Sequence, residues 1–220
     1  AVTTGTHNTF IGGLAGDATT TGIANVAVGA EALSTNTTAN SNTAVGYGSM
    51  AANTTGTSNT SIGRSSLAAN TTADNNTALG YFALNVNTTG AENTGVGFNA
   101  LVANTTAQRN TAVGHDNMAA TTTGSYNSAL GHRVLFVNTV GTENVAMGYV
   151  AMDANTEGSY NVALGVNALG GNTTADYNVA IGTGAMIANT TGGNSVAIGA
   201  NALDAVTTQG ANVAIGYNAS

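Results

Sequence analysis

Asn42-Thr43-Ala44-Val45-Gly46 returns unchanged as Asn110-Thr111-Ala112-Val113-Gly114, and close variants stand at residues 76–80, 161–165, 178–182 and 212–216. Every separation is a multiple of 17 residues. With the asparagine as slot 1, counted from Asn8, slot 5 is glycine in all thirteen repeats: Gly12, Gly29, Gly46, Gly63, Gly80, Gly97, Gly114, Gly131, Gly148, Gly165, Gly182, Gly199 and Gly216. Slot 13, from Thr3 to Thr207, is threonine thirteen times. No insertion or deletion interrupts the period. An unbroken period puts every repeat in an equivalent position along one axis, in contact mainly with its neighbours.

Each repeat reads as extended rather than helical. Slot 4 is branched or long and apolar: Ile11, Val28, Val45, Ile62, Leu79, Val96, Val113, Leu130, Met147, Leu164, Ile181, Ile198 and Ile215. Slot 2 is threonine or valine in nearly every repeat, so slots 2 and 4 alternate at the period of a strand. Gly, Asn and Thr at this frequency make a poor helix. The spacing predicts a strand, a turn, a second short segment around slots 8 and 9, and a wider turn over slots 12 to 17. The fold class is all-β: a β-solenoid of about thirteen 17-residue coils, in one continuous array over residues 1–220 with no internal boundary.

Slots 2 and 4 are expected to point into the coil, with slot 9 (Leu33, Leu67, Leu84 and Leu101 among them) as the second core position. The slot-5 glycine, directly after the last core residue, reads as a turn that needs positive φ or close backbone approach. A phosphate-cradling loop would need a following helix and a basic residue, and neither is in the sequence. Slot 1 is asparagine except at Ser195, and slot 12 is asparagine nine times. Stacked copies of Asn can hydrogen-bond to the next copy and to turn backbone. Some of these, such as Asn53-Thr54-Thr55, also read as glycosylation sequons. Slot 3 is kept small, at Ala27, Ala44, Ala78, Ala112, Ala129, Ala146, Ala163, Ala180, Ala197 and Ala214. Because it points opposite to slots 2 and 4, it is expected to form a flat outward face where another subunit packs.

Composition narrows the function. Ten acids stand against three arginines and no lysine, a formal charge of -7. That balance argues against nucleic acid and against an anionic membrane surface as partners. No apolar run approaches a membrane span, and without cysteine there is no disulfide or thiolate–metal chemistry. The acids are spread along the repeats and no nucleophile–base set is visible, so no catalytic residue, cofactor or metal ligand is assigned and the chain reads as a non-enzyme. His115 and His132 share slot 6 one coil apart, beside Asp116. They read as exposed residues of a variable column before they read as a weak metal site. Tyr47, Tyr81, Phe98 and Tyr149 in slot 6, with Tyr126, Tyr160 and Tyr177 in slot 17, vary from coil to coil and are candidates for surface display. The threonines of slots 13 and 14 raise an ice-binding alternative, though adjacent residues of an extended segment face opposite ways.

Asn194-Ser195-Val196-Ala197-Ile198-Gly199, followed by Ala200-Asn201-Ala202-Leu203, resembles the head repeat of YadA-like trimeric autotransporter adhesins. The Asn-Thr-Ala-Val-Gly-Tyr and Asn-Thr-Thr-Gly phrases are also similar to repeats of phage tail-fibre proteins. The resemblance covers essentially the whole chain. It implies a parallel homotrimer of left-handed β-rolls, with slots 2 and 4 as roll core and slot 3 at the subunit interface. The chain departs from the adhesin head in its 17-residue coil and in lacking a neck, stalk and membrane anchor. Both ends fall mid-repeat, which points to the window of a longer fibre or to end-to-end stacking. The expected function is a structural extracellular segment, an adhesin head or tail-fibre shaft on a cell surface or virion, whose partners are copies of itself and a surface receptor. A self-stacking filament is the alternative.

Overall fold

The computed structural model describes residues 4–220, so Thr3 lies outside the described residues. The chain divides into two compact units, Ala1–Asn110 and Thr111–Ser220. The first carries β1 (Thr9–Ile11), β2 (Val26–Val28), β3 (Thr43–Val45), β4 (Thr60–Ile62), β5 (Thr77–Leu79) and β6 (Thr94–Val96). The second carries β7 (Thr111–Val113), β8 (Ser128–Leu130), β9 (Val145–Met147), β10 (Val162–Leu164), β11 (Val179–Ile181), β12 (Val196–Ile198) and β13 (Val213–Ile215). No helix occurs among the described residues. Within each unit consecutive strands pair in parallel with like residue on like, as in Thr43 against Thr60 and Val162 against Val179. This is an all-β, parallel β-solenoid with one three-residue strand per 17 residues.

The alternation along each strand is present, but its sense is the reverse of the expectation. Slot 3 is the interior position: Ala27, Ala44, Ala78, Ala112, Ala163, Ala180 and Ala197 are wholly buried, and Ala129, Ala146 and Ala214 nearly so. These alanines therefore form no outward face and no subunit interface. The slot-4 side chains are not the core. Val28, Val45, Leu79, Val96, Val113, Leu164 and Ile181 are half-buried, and Ile62, Leu130, Met147, Ile198 and Ile215 are exposed. The physical reason is the narrowness of the coil. Slot 8, mostly alanine, and slot 9 enter the interior from the far side, and Leu33, Leu67, Leu84, Leu101 and Met118 rank among the largest fully buried side chains. They leave room for about a methyl group opposite. At Gly95, an added Cβ would already stand 3.2 Å from Ala100 O and 3.3 Å from Leu84 Cγ.

Two exceptions show that slots 3, 8 and 9 share one interior. Phe10 is the single large slot-3 residue, and its own coil carries Gly16 at slot 9; a Cβ on Gly16 would lie 2.6 Å from the Phe10 ring. Ser61 replaces alanine at slot 3 and meets Ser49 and Ser66 of slot 8 at 2.8 and 2.6 Å, Oγ to Oγ. A hydroxyl in this dry interior costs free energy unless it is paired, and here three satisfy one another.

The corners are made by backbone conformation. All thirteen slot-5 glycines have φ between 128° and 142°. An added Cβ at Gly80 would meet Gly97 C at 2.7 Å, so the conformation and the coil-to-coil contact both demand glycine. Slots 7, 9 and 17 are also left-handed, mostly without glycine: Ser65 at 54°, Leu67 at 49° and Asn75 at 61° make three in one circuit. Each costs about 1 kcal/mol or more for a side-chain-bearing residue. Coil-to-coil hydrogen bonds hold the corners in place, for example Ser65 N–H to Tyr47 O (2.9 Å), Leu67 N–H to Ala83 O (2.9 Å) and Asn75 N–H to Thr57 O (3.1 Å).

Candidate functional site: an outward apolar sheet face and stacked side-chain columns

Two buried asparagine ladders anchor the strand from behind. In the first unit the Asn59 N–H donates to Asn42 Oδ1 at 2.9 Å, and Asn42 Nδ2 donates to Gly56 O at 2.8 Å. From the other side of the turn, Asn53 Nδ2 donates to the same carbonyl at 3.0 Å and to Asn36 Oδ1 at 3.3 Å. The second unit repeats the arrangement: Asn144 and Asn155 converge on Gly158 O at 2.8 and 3.0 Å. Asn53 is fully buried with its Nδ2 engaged, so the Asn53-Thr54-Thr55 sequon presents no accessible amide in the folded chain. At Thr121 the ladder is interrupted. Its buried hydroxyl has no partner, and Asn138 Nδ2 keeps its bond to Gly141 O at 3.0 Å.

With the backbone fixed, slots 2 and 4 project outward in each unit as two parallel columns. Across all thirteen repeats neither column contains a charged residue. In the first unit slot 2 is Thr43, Thr60, Thr77 and Thr94 after Val26; in the second it passes from Thr111 and Ser128 to an unbroken run of valines at 145, 162, 179, 196 and 213. Leu130, Val145 and Met147, with a coil on either side, are 44%, 43% and 48% exposed. A shallow apolar hollow of about 190 Å³ lies on this face of the second unit, between Val113, Leu130 and Met147. That is below the size of an ordinary small-molecule site.

Beyond the glycine, slot 6 stacks side chain on side chain. In the first unit the Arg64 guanidinium carbon lies 5.8 Å from the Tyr47 ring centre and 5.7 Å from that of Tyr81, and Tyr81 stacks on Phe98 at 5.5 Å and 7°. In the second, His115, His132 and Tyr149 stack at 5.3 and 5.4 Å. Slot 17 does likewise: Glu92 accepts from Arg109 Nε at 2.9 Å, and Tyr160 stacks on Tyr177 at 4.8 Å and 3°. Tyr126 is exposed in the same slot.

The titrating groups follow these neighbours. The hydrogen bond and charge of Arg109 hold the Glu92 carboxyl below its usual range. Burial pushes the Asp153 carboxyl up, against the opposing pull of Arg133. The negative charge of Glu143, then Tyr177, raises the Tyr160 hydroxyl. His115 Nδ1 stands 3.1 Å from Asp116 Oδ2. Among the described residues, no group of three or more His, Asp or Glu side chains is placed to hold a metal ion.

Thr37, Thr54, Thr71 and Thr88 of slot 13 each donate their hydroxyl to the slot-13 carbonyl of the next coil at 3.0–3.2 Å. Of the paired columns weighed for ice binding, slot 14 is the one exposed to water, at Thr38, Thr55, Thr72 and Thr89. No described helix is long and apolar enough to cross a membrane. Sequence reasoning grouped the surface columns by slot but missed the Arg64 sandwich, for which an arginine in a tyrosine column is the sign. It also missed Arg133, whose guanidinium carbon lies 4.1 Å from the Phe136 ring centre. Compared with known proteins, the chain matches no family model, no curated protein and no solved structure.

Proposed function

We propose that the chain is a segment of an extracellular structural fibre, an adhesin head or tail-fibre shaft, that associates as a parallel homotrimer through its slot-2 and slot-4 face. One observation carries this: two adjacent columns, uncharged through thirteen repeats, that the coil itself leaves on its surface. A face that merely met water would tolerate Lys, Glu or Gln, whereas an extended apolar patch marks an interaction surface. A second copy of the chain is the occupant that fits best. Its columns carry the same repeat, so a parallel, in-register partner meets this face repeat by repeat. Closed symmetry then leaves none of the apolar surface exposed. The three-fold arrangement and the placement on a cell surface or virion rest on the likeness of the Asn-Ser-Val-Ala-Ile-Gly and Asn-Thr-Ala-Val-Gly phrases to adhesin and tail-fibre repeats.

Sedimentation equilibrium with chemical crosslinking tests the assembly. The expected result is three chains per particle, reduced towards one by Ile181→Lys, with an unchanged far-ultraviolet spectrum. A monomer at all concentrations would remove the reading, and open-ended growth with concentration would replace it by a filament.

A further inference from the structure

Arg64 is placed unlike the other two arginines. Arg109 is paired with Glu92 at 2.9 Å, and Arg133 lies over the Phe136 ring with its Nε buried. Arg64 is exposed; its backbone carbonyl accepts from Phe82 N–H at 3.2 Å, and among the described residues its guanidinium makes no hydrogen bond or ion pair. Its guanidinium carbon lies 5.8 and 5.7 Å from the ring centres of Tyr47 and Tyr81, one coil to either side, and slots 6 and 7 of its own and the two adjoining coils (Tyr47, Gly48, Ser65, Tyr81 and Phe82) carry no acid. Phe82 packs against Tyr81 at 4.1 Å and 44°, which makes an aromatic corner one coil from the guanidinium.

We propose that Arg64, with the Tyr81–Phe82 corner, is a recognition point for a sugar that carries a single carboxylate. The flanking rings keep the guanidinium in the column, and because the side chain is exposed and unpaired its N–H groups are open to a ligand. Their fork matches a carboxylate with two parallel hydrogen bonds, which a lysine cannot do. With Tyr81 taken up between Arg64 and Phe98, the Phe82 ring beside it is the apolar surface for the C–H face of a sugar ring, as aromatic rings are at recognition surfaces. The formal charge of -7 and the absence of lysine disfavour a sulfated or polyuronate chain, whose repeated charges would find one isolated cation in an acidic field. The occupant is therefore an acidic sugar at the end of a glycan. A single such site is weak, with a Kd of about 1 mM, and copies presented together raise the avidity. The site lies on other slots than the sheet face, so it stands independently of trimer formation.

The test is ligand-observed NMR and titration calorimetry on the whole chain, with three probes: the methyl glycoside of N-acetylneuraminic acid, a glucuronate oligosaccharide and neutral maltohexaose. Binding of the first probe above the others is expected. Arg64→Ala should weaken it about ten-fold or more, and Arg64→Lys should restore only part of that, because the charge returns without the fork. Phe82→Ser should weaken it several-fold with the charge intact. Binding of the glucuronate probe as tightly as the first, even with the same Arg64 dependence, would overturn the assignment to a terminal sugar with a single carboxylate. Equal binding of maltohexaose, indifference to Arg64→Ala in a chain with unchanged circular dichroism, or no binding of any probe would overturn the proposal. Ile181→Lys serves as the control: a monomer that still binds separates this site from the assembly.

Discussion

The two units repeat the same backbone and the same kind of interior, each by itself, and they differ on the face that each turns outward. In the first, slot 2 is mainly threonine beside the apolar slot 4; in the second, valine stands beside it from Val145 onward. The interior does not drift in this way, because a slot-3 side chain bulkier than alanine or serine has nowhere to go unless slot 9 shrinks, as at Phe10 and Gly16. The difference teaches which surfaces are set by folding and which are free to serve association. A hydroxyl for a methyl at slot 2 costs the coil little, while it changes how dry a contact between copies becomes.

The largest effect is expected where the units are alike. Gly80→Ala and Gly182→Ala each put a Cβ against a neighbouring glycine, 2.7 Å from Gly97 C and 2.6 Å from Gly199 C, at φ of +134° and +132°. Each should destabilise by about 3 kcal/mol or more, read as a lowered denaturant midpoint. A marked inequality between them would break the equivalence of the two backbones. The ladder comes next. Asn155→Ala removes the acceptor of Asn172 Nδ2, at 2.7 Å, and one of two donors to Gly158 O. A loss of about 2–3 kcal/mol follows from buried groups left unpaired. Thr121→Asn should do the opposite, with a gain of about 1 kcal/mol, since an Oδ1 there would accept from Asn138 Nδ2.

On the outward face, Val162→Thr should raise the dissociation constant of the assembly several-fold and Thr77→Val should lower it, at about 0.8 kcal/mol per methyl-sized change. Sedimentation at graded concentration checks both. If neither moves association, the contrast between the faces has no part in it.

The smallest effects are those of pH, with opposite signs. Glu92, held low by Arg109, contributes stability present above the unfolded carboxyl range and lost as pH falls through its folded value. Asp153, raised by burial, is penalised as pH rises from the unfolded value through its folded one. Asp153→Asn should therefore raise the melting temperature slightly at pH 7 and leave it unchanged at pH 3. Glu92→Gln should lower it slightly at pH 7 alone.

The period, the strand and the glycine corner were legible because one residue type serves one physical need: no other side chain survives at Gly80, and Asn at slots 1 and 12 suits a ladder. The facing of the strand was not. Alternation in Thr43-Ala44-Val45 says that the outer two residues share a side, and it cannot say which side. The habit of placing branched apolar residues inside gave the wrong answer, because here the interior admits little more than a methyl group at that point. The paired exceptions, Phe10 with Gly16 and Ser61 with Ser49 and Ser66, carried the correct answer in the sequence itself. The left-handed corners were legible in part. Asn99, Asp116 and Asn167 at slot 7 are types that tolerate positive φ, but Leu33 or Met50 at slot 9 gives no hint. The outward columns were named by slot, while the Arg64 sandwich depends on stacking that only three dimensions show.

The shared carbonyl beneath the asparagines has a bearing on how such a chain changes in length over time. Asn42 and Asn53 reach Gly56 O from opposite ends of one corner, and each is also tied to the circuit above or below. One extra residue between them would throw the Asn42 amide off Gly56 O and the Asn53 amide off Asn36 Oδ1, and put every later circuit out of frame. Growth and shrinkage by single residues are thereby closed off. Duplication or loss of a complete turn of 17 leaves every bond where it was, so the molecule can be lengthened only in whole steps.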